Sequence, residues 1–250
     1  SWGAKDHLTW ILPPERGASF YSTGGLVAVH ANRLERNEIY DSLYDREVYA
    51  TSGERILLWF NLIKDNKEIP MGRELSSSEN PKFEVRALGS FKQLPGCPDY
   101  VNNTMKKEEI ERLCLNECYN PSNERNLIDR IEVIKIKPTL NLNALQEVIQ
   151  DPWLILDCED KGQGCSVSFE DKEFSKDEAN SVYYVRAIQE KTLAVGGDPL
   201  RCEYNDKGEC IKIKPCYASG PDFEPSDDCL APIGERAWSS PIFLNYLNKS

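Results

Sequence analysis

"LILDCEDKGQGCSVSFED", Leu154 to Asp171, sets two cysteines around a Lys-Gly turn with an apolar run on either side. A second stretch, "LRCEYNDKGECIKIK" from Leu200 to Lys214, repeats the design. Zinc sites ask for C-x₂-C knuckles or paired histidines, and redox centres for C-x-x-C. The close spacings here are C-x₃-C, C-x₆-C, C-x₇-C and C-x₁₂-C, and the only histidines are His7 and His30. A tight hairpin, by contrast, brings cross-strand cysteines within bridging distance. We therefore expect Cys158–Cys165 and Cys202–Cys210 as disulfides stapling hairpins, and Cys216–Cys229 as a disulfide closing a loop. Disulfides persist outside the reducing cytosol, which points to an extracytoplasmic protein: periplasmic, surface-bound or secreted. Cys97, Cys114 and Cys118 are an odd set, leaving either a partner upstream of Ser1 or one free buried thiol.

Working outward, the chain between these pairs reads as many short strands. "ERILLWFNLI", "KFEVRALGSF", "RIEVIKIK", "WLILDC", "CSVSFE", "VYYVRAIQ", "CIKIK" and "SPIFLNYL" are rich in β-branched and aromatic residues, with Gly, Pro, Asn and Asp between them. Ile134 and Ile136 alternate with Lys135 and Lys137, as on a strand with one buried face, whereas Ile131 and Val133 fall on the other face. "RAWSSPIF" reads as a closing strand with Trp238 buried. One helix interrupts the series over "TMKKEEIERLCLNE", with Thr104 as N-cap and Ile110, Leu113 and Cys114 facing inward. Near the N-terminus "GGLVAVHA" reads as a strand and "NRLERNEIYDSLYDRE" as a helix, with Asn32 as N-cap, Glu35 in a capping box and Leu34, Ile39, Tyr40 and Leu43 sharing a face. "VYATSG" follows as strand and turn. The expected fold class is mainly β (α+β): a strand–helix–strand unit over residues 1–53, then an antiparallel, disulfide-stapled β-sandwich-like module over residues 54–250.

Composition narrows function by exclusion. The 250 residues carry 41 acidic and 30 basic side chains, a net charge of -11. Phosphate backbones require a concentrated basic surface, so nucleic acid is not an expected partner. No run reaches the roughly 18 apolar residues of a membrane helix, so no membrane span is expected. The sequence opens at "SWGAKDHL" without Met or a signal peptide, which we read as the back portion of a longer or processed protein.

Longer strings carry a family resemblance: "TGGLVAVHA", "DREVYATSGERILLWF", "PGCPDY", "ECYNPSNER", "YYVRAIQE" and "ERAWSSPIF", in order from about Gly17 to Phe243. The chain resembles the bacterial domain-of-unknown-function family thirty-six-oh-four, grouped with the PHP (polymerase and histidinol phosphatase) metal-dependent phosphoesterase-like proteins. The resemblance implies an exported protein with an α/β barrel that holds divalent metal ions, followed by a β-rich C-terminal portion. A PHP-type site needs an early His-x-His pair, further His and Glu ligands, and a late Asp-x-His pair that together activate a bridging water. None of these motifs is present. Lys5 stands where an Asp-x-His ending at His7 would need its aspartate, so no metal role passes to Asp6 or His7 and no cofactor is expected on this chain.

On this view residues 1–53 are the end of the barrel, and the partner is the upstream barrel portion of the same protein, acting on an unknown small-molecule substrate. His30 at the end of its strand, and Thr51, Ser52 and Arg55 at the end of the next, would then line one rim, because successive parallel strands end on one face. Arg55 could hold an anionic substrate group. The competing reading is a hydrogen-bonded structural histidine and a Ser-Gly turn with Arg55 in solvent. Ser52 lacks a G-x-S-x-G frame and is not expected to be a nucleophile. Trp59, Tyr183, Tyr184, Trp238, Phe243 and Tyr246 could stack sugars, but on strands of alternating burial they are expected in the core. The alternative to a fragment of a metal-dependent hydrolase, inactive alone, is a non-catalytic extracellular binding or structural module.

Overall fold

Fifteen residues of one strand, β12 (Ser181–Val195), organise the molecule. The structure is a computed structural model that describes residues 24–114, 118–139, 148–159, 162–195, 198, 200–214 and 230–247. Along one edge β12 pairs antiparallel with β9 (Ile128–Ile136), which pairs with β10 (Ile149–Asp157). Along the other it takes β16 (Ile242–Tyr246) near its start and β15 (Leu230–Ser239) further on. The sheet continues from β15 to β2 (Val48–Thr51) and β1 (Leu26–Val29), and from β16 to a parallel partner, β5 (Glu74–Ser77).

A second antiparallel sheet has the order β11 (Cys165–Glu170), β6 (Lys82–Leu88), β3 (Leu57–Lys64), β4 (Lys67–Pro70). Its strands show the two-residue alternation of a half-buried sheet. Leu58, Phe60 and Leu62 of β3, and Phe83, Val85 and Ala87 of β6, are buried. They share one core with Val133, Tyr183, Val185, Ile242 and Leu244 of the first sheet. Phe83 sits at its centre, with ring centroids 4.9 Å from Phe169 and 4.8 Å from Tyr183. The mainly β, two-sheet expectation therefore holds.

Several local expectations do not. The strand–helix–strand unit is present as β1, α1 (Arg36–Tyr44) and β2, but β1 and β2 run antiparallel, Leu26 opposite Thr51 and Val29 opposite Val48. An α/β barrel requires parallel neighbours, so this unit has no barrel geometry. Across the expected boundary at residue 53, β2 is hydrogen-bonded to β15 from the far end of the chain. Helix α1 starts at Arg36 behind an uncapped Glu35, so Asn32 caps nothing, and Leu34 is 96% and Tyr40 66% exposed. Thr104 ends a short helix, α2 (Asp99–Thr104), its hydroxyl donating to the Tyr100 carbonyl, before α3 (Lys107–Cys114) begins. Ile110 is buried as expected, while the side chains of Leu113 and Cys114 lie outside the described residues. The "RAWSSPIF" run breaks at Ser240–Pro241 into β15 and β16, with Trp238 half-buried. A two-stranded antiparallel ribbon, β7 (Phe91–Gln93) with β8 (Pro121–Arg125), and a one-turn helix, α4 (Phe174–Asp177), lie outside the two sheets.

Among the described residues three disulfides are present: Cys97–Cys118, Cys158–Cys165 and Cys202–Cys210. The first resolves two of the odd cysteines. Cys202–Cys210 staples a true hairpin of β13 (Glu203–Tyr204) and β14 (Cys210–Lys212). Cys158–Cys165 does not, because β10 and β11 belong to different sheets and the bond clasps the two together. Cys216–Cys229 lies outside the described residues, as does His7.

Candidate functional site

The antiparallel pairing separates the sequence-predicted rim. His30 follows β1 and its backbone N–H donates to the Glu47 carbonyl at 3.0 Å, next to the start of β2. Thr51 and Ser52 lie at the opposite end of the same ladder, beside Leu26. The shared rim of His30, Thr51, Ser52 and Arg55 does not exist.

At the His30 end, a cleft of about 430 Å³ opens between the β1–α1–β2 unit and the outer face of β3 and β4. The β3–β4 turn, Asp65–Asn66, has φ of 51° and 59°, the left-handed pair of a tight hairpin, and Asp and Asn are among the residues that adopt it most readily. It fixes the register that brings Glu68 of β4 to Asn61 of β3, whose amide Nδ2 donates to Oε2 at 2.5 Å. Trp59 lies two residues before Asn61 and so shares its face, since Leu58, Phe60 and Leu62 take the inner one. The His30 ring sits 5.7 Å from the Trp59 ring and 5.3 Å from that of Tyr49. His30 Nε2 lies 2.8 Å from the Leu58 carbonyl oxygen, which only accepts, so Nε2 carries a hydrogen, and in the neutral ring Nδ1 is the acceptor. Both carboxylates of the cleft are bonded to an arginine that a second carboxylate shares: Glu47 pairs with Arg73, which also holds Asp45 at 2.9 Å, and Glu68 with Arg86 at 2.6 Å, which also holds Glu84 at 3.1 Å.

At the other end, Ser52 follows a buried Thr51 and precedes Gly53, whose φ of +136° makes the turn. The Ser52 hydroxyl donates to the buried Glu235 carboxylate and accepts the Arg236 backbone N–H at 2.9 Å. Burial pushes the Glu235 carboxyl above the usual carboxylate range, and Glu54 adds to that. The pair locks the β2–β15 ladder. Arg55 is exposed, its guanidinium 4.1 Å over the Tyr119 ring beside Cys118.

Sequence reasoning missed the cleft's polar wall, Glu47, Asn61 and Glu68, because nothing local pairs residues on β2, β3 and β4. It also placed Trp59 in the core, whereas Trp59 lines the cleft; Tyr183 is the core aromatic. Lys135 was expected on a solvent face, yet its side chain is 3% exposed and 2.5 Å from the fully buried Asp171, which also accepts the Tyr183 hydroxyl at 2.6 Å. That ion pair is enclosed by the core and has structural work. Among the described residues no three His, Cys, Asp or Glu side chains are grouped to hold a metal ion.

Fold and site together define a disulfide-stapled two-sheet β protein with a mixed aromatic and polar cleft on one face. Residues 13–93 match the model of a family described as "Protein of unknown function (DUF3604)". An uncharacterized protein of Chlamydia muridarum is 34% identical over 87 residues, covering 35% of this chain and 12% of that protein. Uncharacterized proteins of Chlamydia trachomatis serovar D (34% over 87 residues, 35% of this chain and 12% of that one) and Chlamydia pneumoniae (39% over 61 residues, 24% and 9%) are also similar. The chain's matching segment spans about an eighth of these relatives or less. No solved structure matches.

Proposed function

We propose that this chain is a β-module of a longer exported protein, binding ligand while metal-dependent hydrolysis of phosphoesterase type resides in the remainder of that protein. The observation that carries the reading is the position of the family-matched stretch. Residues 13–93 supply β1 to β6, which are woven into both sheets, and most of the cleft wall, while the described residues offer no metal-ligand group. The curated relatives are several times longer than the segment they share with this chain, leaving room for a separate catalytic portion. Three disulfides suit the oxidising periplasm or cell exterior. The hydrolase class itself rests on family analogy, and fold likeness alone does not assign chemistry.

The test is a hydrolysis assay of chromogenic phosphomono- and phosphodiesters with Mg²⁺, Mn²⁺ or Zn²⁺, on the 250-residue chain and on a longer protein containing it. We expect the chain to be inert and the longer protein to turn over. Turnover by the chain alone would overturn the division of labour; a longer protein inert with every metal would overturn the hydrolase and leave the second reading, a stand-alone extracellular binding module. The open cleft, with an aromatic floor and carboxylates held in place by Arg73 and Arg86, favours binding in either case.

A further inference from the structure

The cleft beside His30 has a composition that selects its ligand by elimination. Its volume, about 430 Å³, lies in the range of small-molecule sites. An anion would face Glu47 and Glu68 in a chain of net charge -11. A metal ion would find each of those carboxylates already bonded to an arginine, itself shared with Asp45 or Glu84, and among the described residues no three metal-ligating side chains are grouped there. A wholly apolar ligand would strip water from the Asn61 amide and two carboxylates without replacing their hydrogen bonds, which is costly.

What remains is a neutral molecule with an apolar face and a rim of hydroxyls. The Trp59 indole offers a flat apolar surface, with the His30 ring tilted 40° to it. Asn61, only 8% exposed, spends one amide N–H on Glu68 and keeps its oxygen and second N–H. Each paired carboxylate has more acceptor sites than its arginine fills, and His30 Nδ1 adds an acceptor fixed by the Leu58 bond. A hydroxyl both donates and accepts, so a ring of hydroxyls can satisfy this mixed wall without bringing charge.

We propose that this cleft binds a neutral pyranose sugar, of one or two rings, with its C–H face on Trp59 and its hydroxyls on Asn61, Glu47, Glu68 and His30 Nδ1. The proposal rests on the reading of this chain as a binding module and is independent of the longer protein's chemistry. The experiment titrates the 250-residue chain with methyl glucoside, galactoside and mannoside at tens of millimolar, followed by heteronuclear NMR. We expect saturable shifts centred on Trp59, Asn61 and His30 with at least one glycoside. Trp59→Ala and Asn61→Ala should each weaken that binding by about ten-fold or more, Trp59→Phe less, and Arg55→Ala, at the other end of the ladder, not at all. Asn61→Ala guards against a misfolded Trp59→Ala, with melting temperature as the check on both. No saturable shift with any of the three, shifts elsewhere that survive both substitutions, or binding of glucose 6-phosphate in place of the neutral glycosides would overturn it. The phosphoester assay above is unaffected by any of these results, so the two claims fail separately.

Discussion

Cys158–Cys165 and Cys202–Cys210 come from nearly the same sequence pattern and do different work. The first joins β10 of the large sheet to β11 of the small one; Cys165 is 5% exposed and opposite Ala87 in the ladder, and both cysteines pack on the shared core. The second closes a two-stranded hairpin whose apolar side chains Tyr204 and Ile211 are 62% and 66% exposed. The difference lies outside the loops. "CSVSFE" finds a partner strand, β6, more than seventy residues earlier, whereas the strands flanking the Asn205–Gly208 turn find only each other. An isolated two-stranded hairpin has little stability of its own, so the second disulfide substitutes for a core and the first reinforces one.

That contrast can be broken or sharpened by substitution. The largest effect belongs to the core beneath the clasp: Phe83 is stacked on Phe60 and Phe169 and tilted against Tyr183, and Phe83→Ala should cost about 3–5 kcal/mol in denaturant unfolding. Replacing Cys158 and Cys165 by Ala should cost about 2–4 kcal/mol, since a short closed loop is freed and a core residue is trimmed. The same change at Cys202 and Cys210 should move the global transition by less than about 0.5 kcal/mol, with proteolysis appearing within 203–212 instead. Equal effects of the two double substitutions would erase the distinction.

Smaller effects are pH-dependent, with opposite signs. Glu235 has its folded pKa raised by burial. Stability from it is full below the usual glutamate range and is lost as pH climbs through the raised value, so Glu235→Gln should melt higher than the parent at neutral pH and converge with it in acid. Asp177 has its pKa lowered, first by the hydrogen bond from Lys137, with Lys135 adding to it. Its contribution is present above the usual aspartate range and lost as pH falls through the lowered value, so Asp177→Asn should melt lower at neutral pH and converge below it. Thermal melts across the acid range read both.

The longer strands were legible because their signal is local: β-branched and aromatic runs mark β3, β6, β9, β11 and β12, and Gly after Ser52 marks a turn, whereas the short β4 and β5 carry no such run and were not read. Which strands pair was not legible, and the site depended on pairing. The antiparallel β1–β2 ladder sent His30 and Ser52 to opposite ends, and the β3–β4 register built a polar wall that no motif announces. Lys135 shows the same limit. Its alternation with Ile134 suggests water, but Asp171, more than thirty residues on, makes its burial possible. Leu34 and Tyr40 fail in the other sense: their spacing is helical, yet no element among the described residues covers them.

The central claim is that residues 26–51, despite their strand–helix–strand look, share one cooperative unit with the strands that follow, while the β13–β14 hairpin stands outside it. Native-state hydrogen exchange tests this directly, because segments that open together exchange with one free energy. Amides of β2, β3, β6, β12 and β15 should exchange through a common global opening, and those of β13 and β14 far faster. A separate, weaker opening of β2 ahead of β3 and β15 would contradict it and would place a boundary at residue 53 after all.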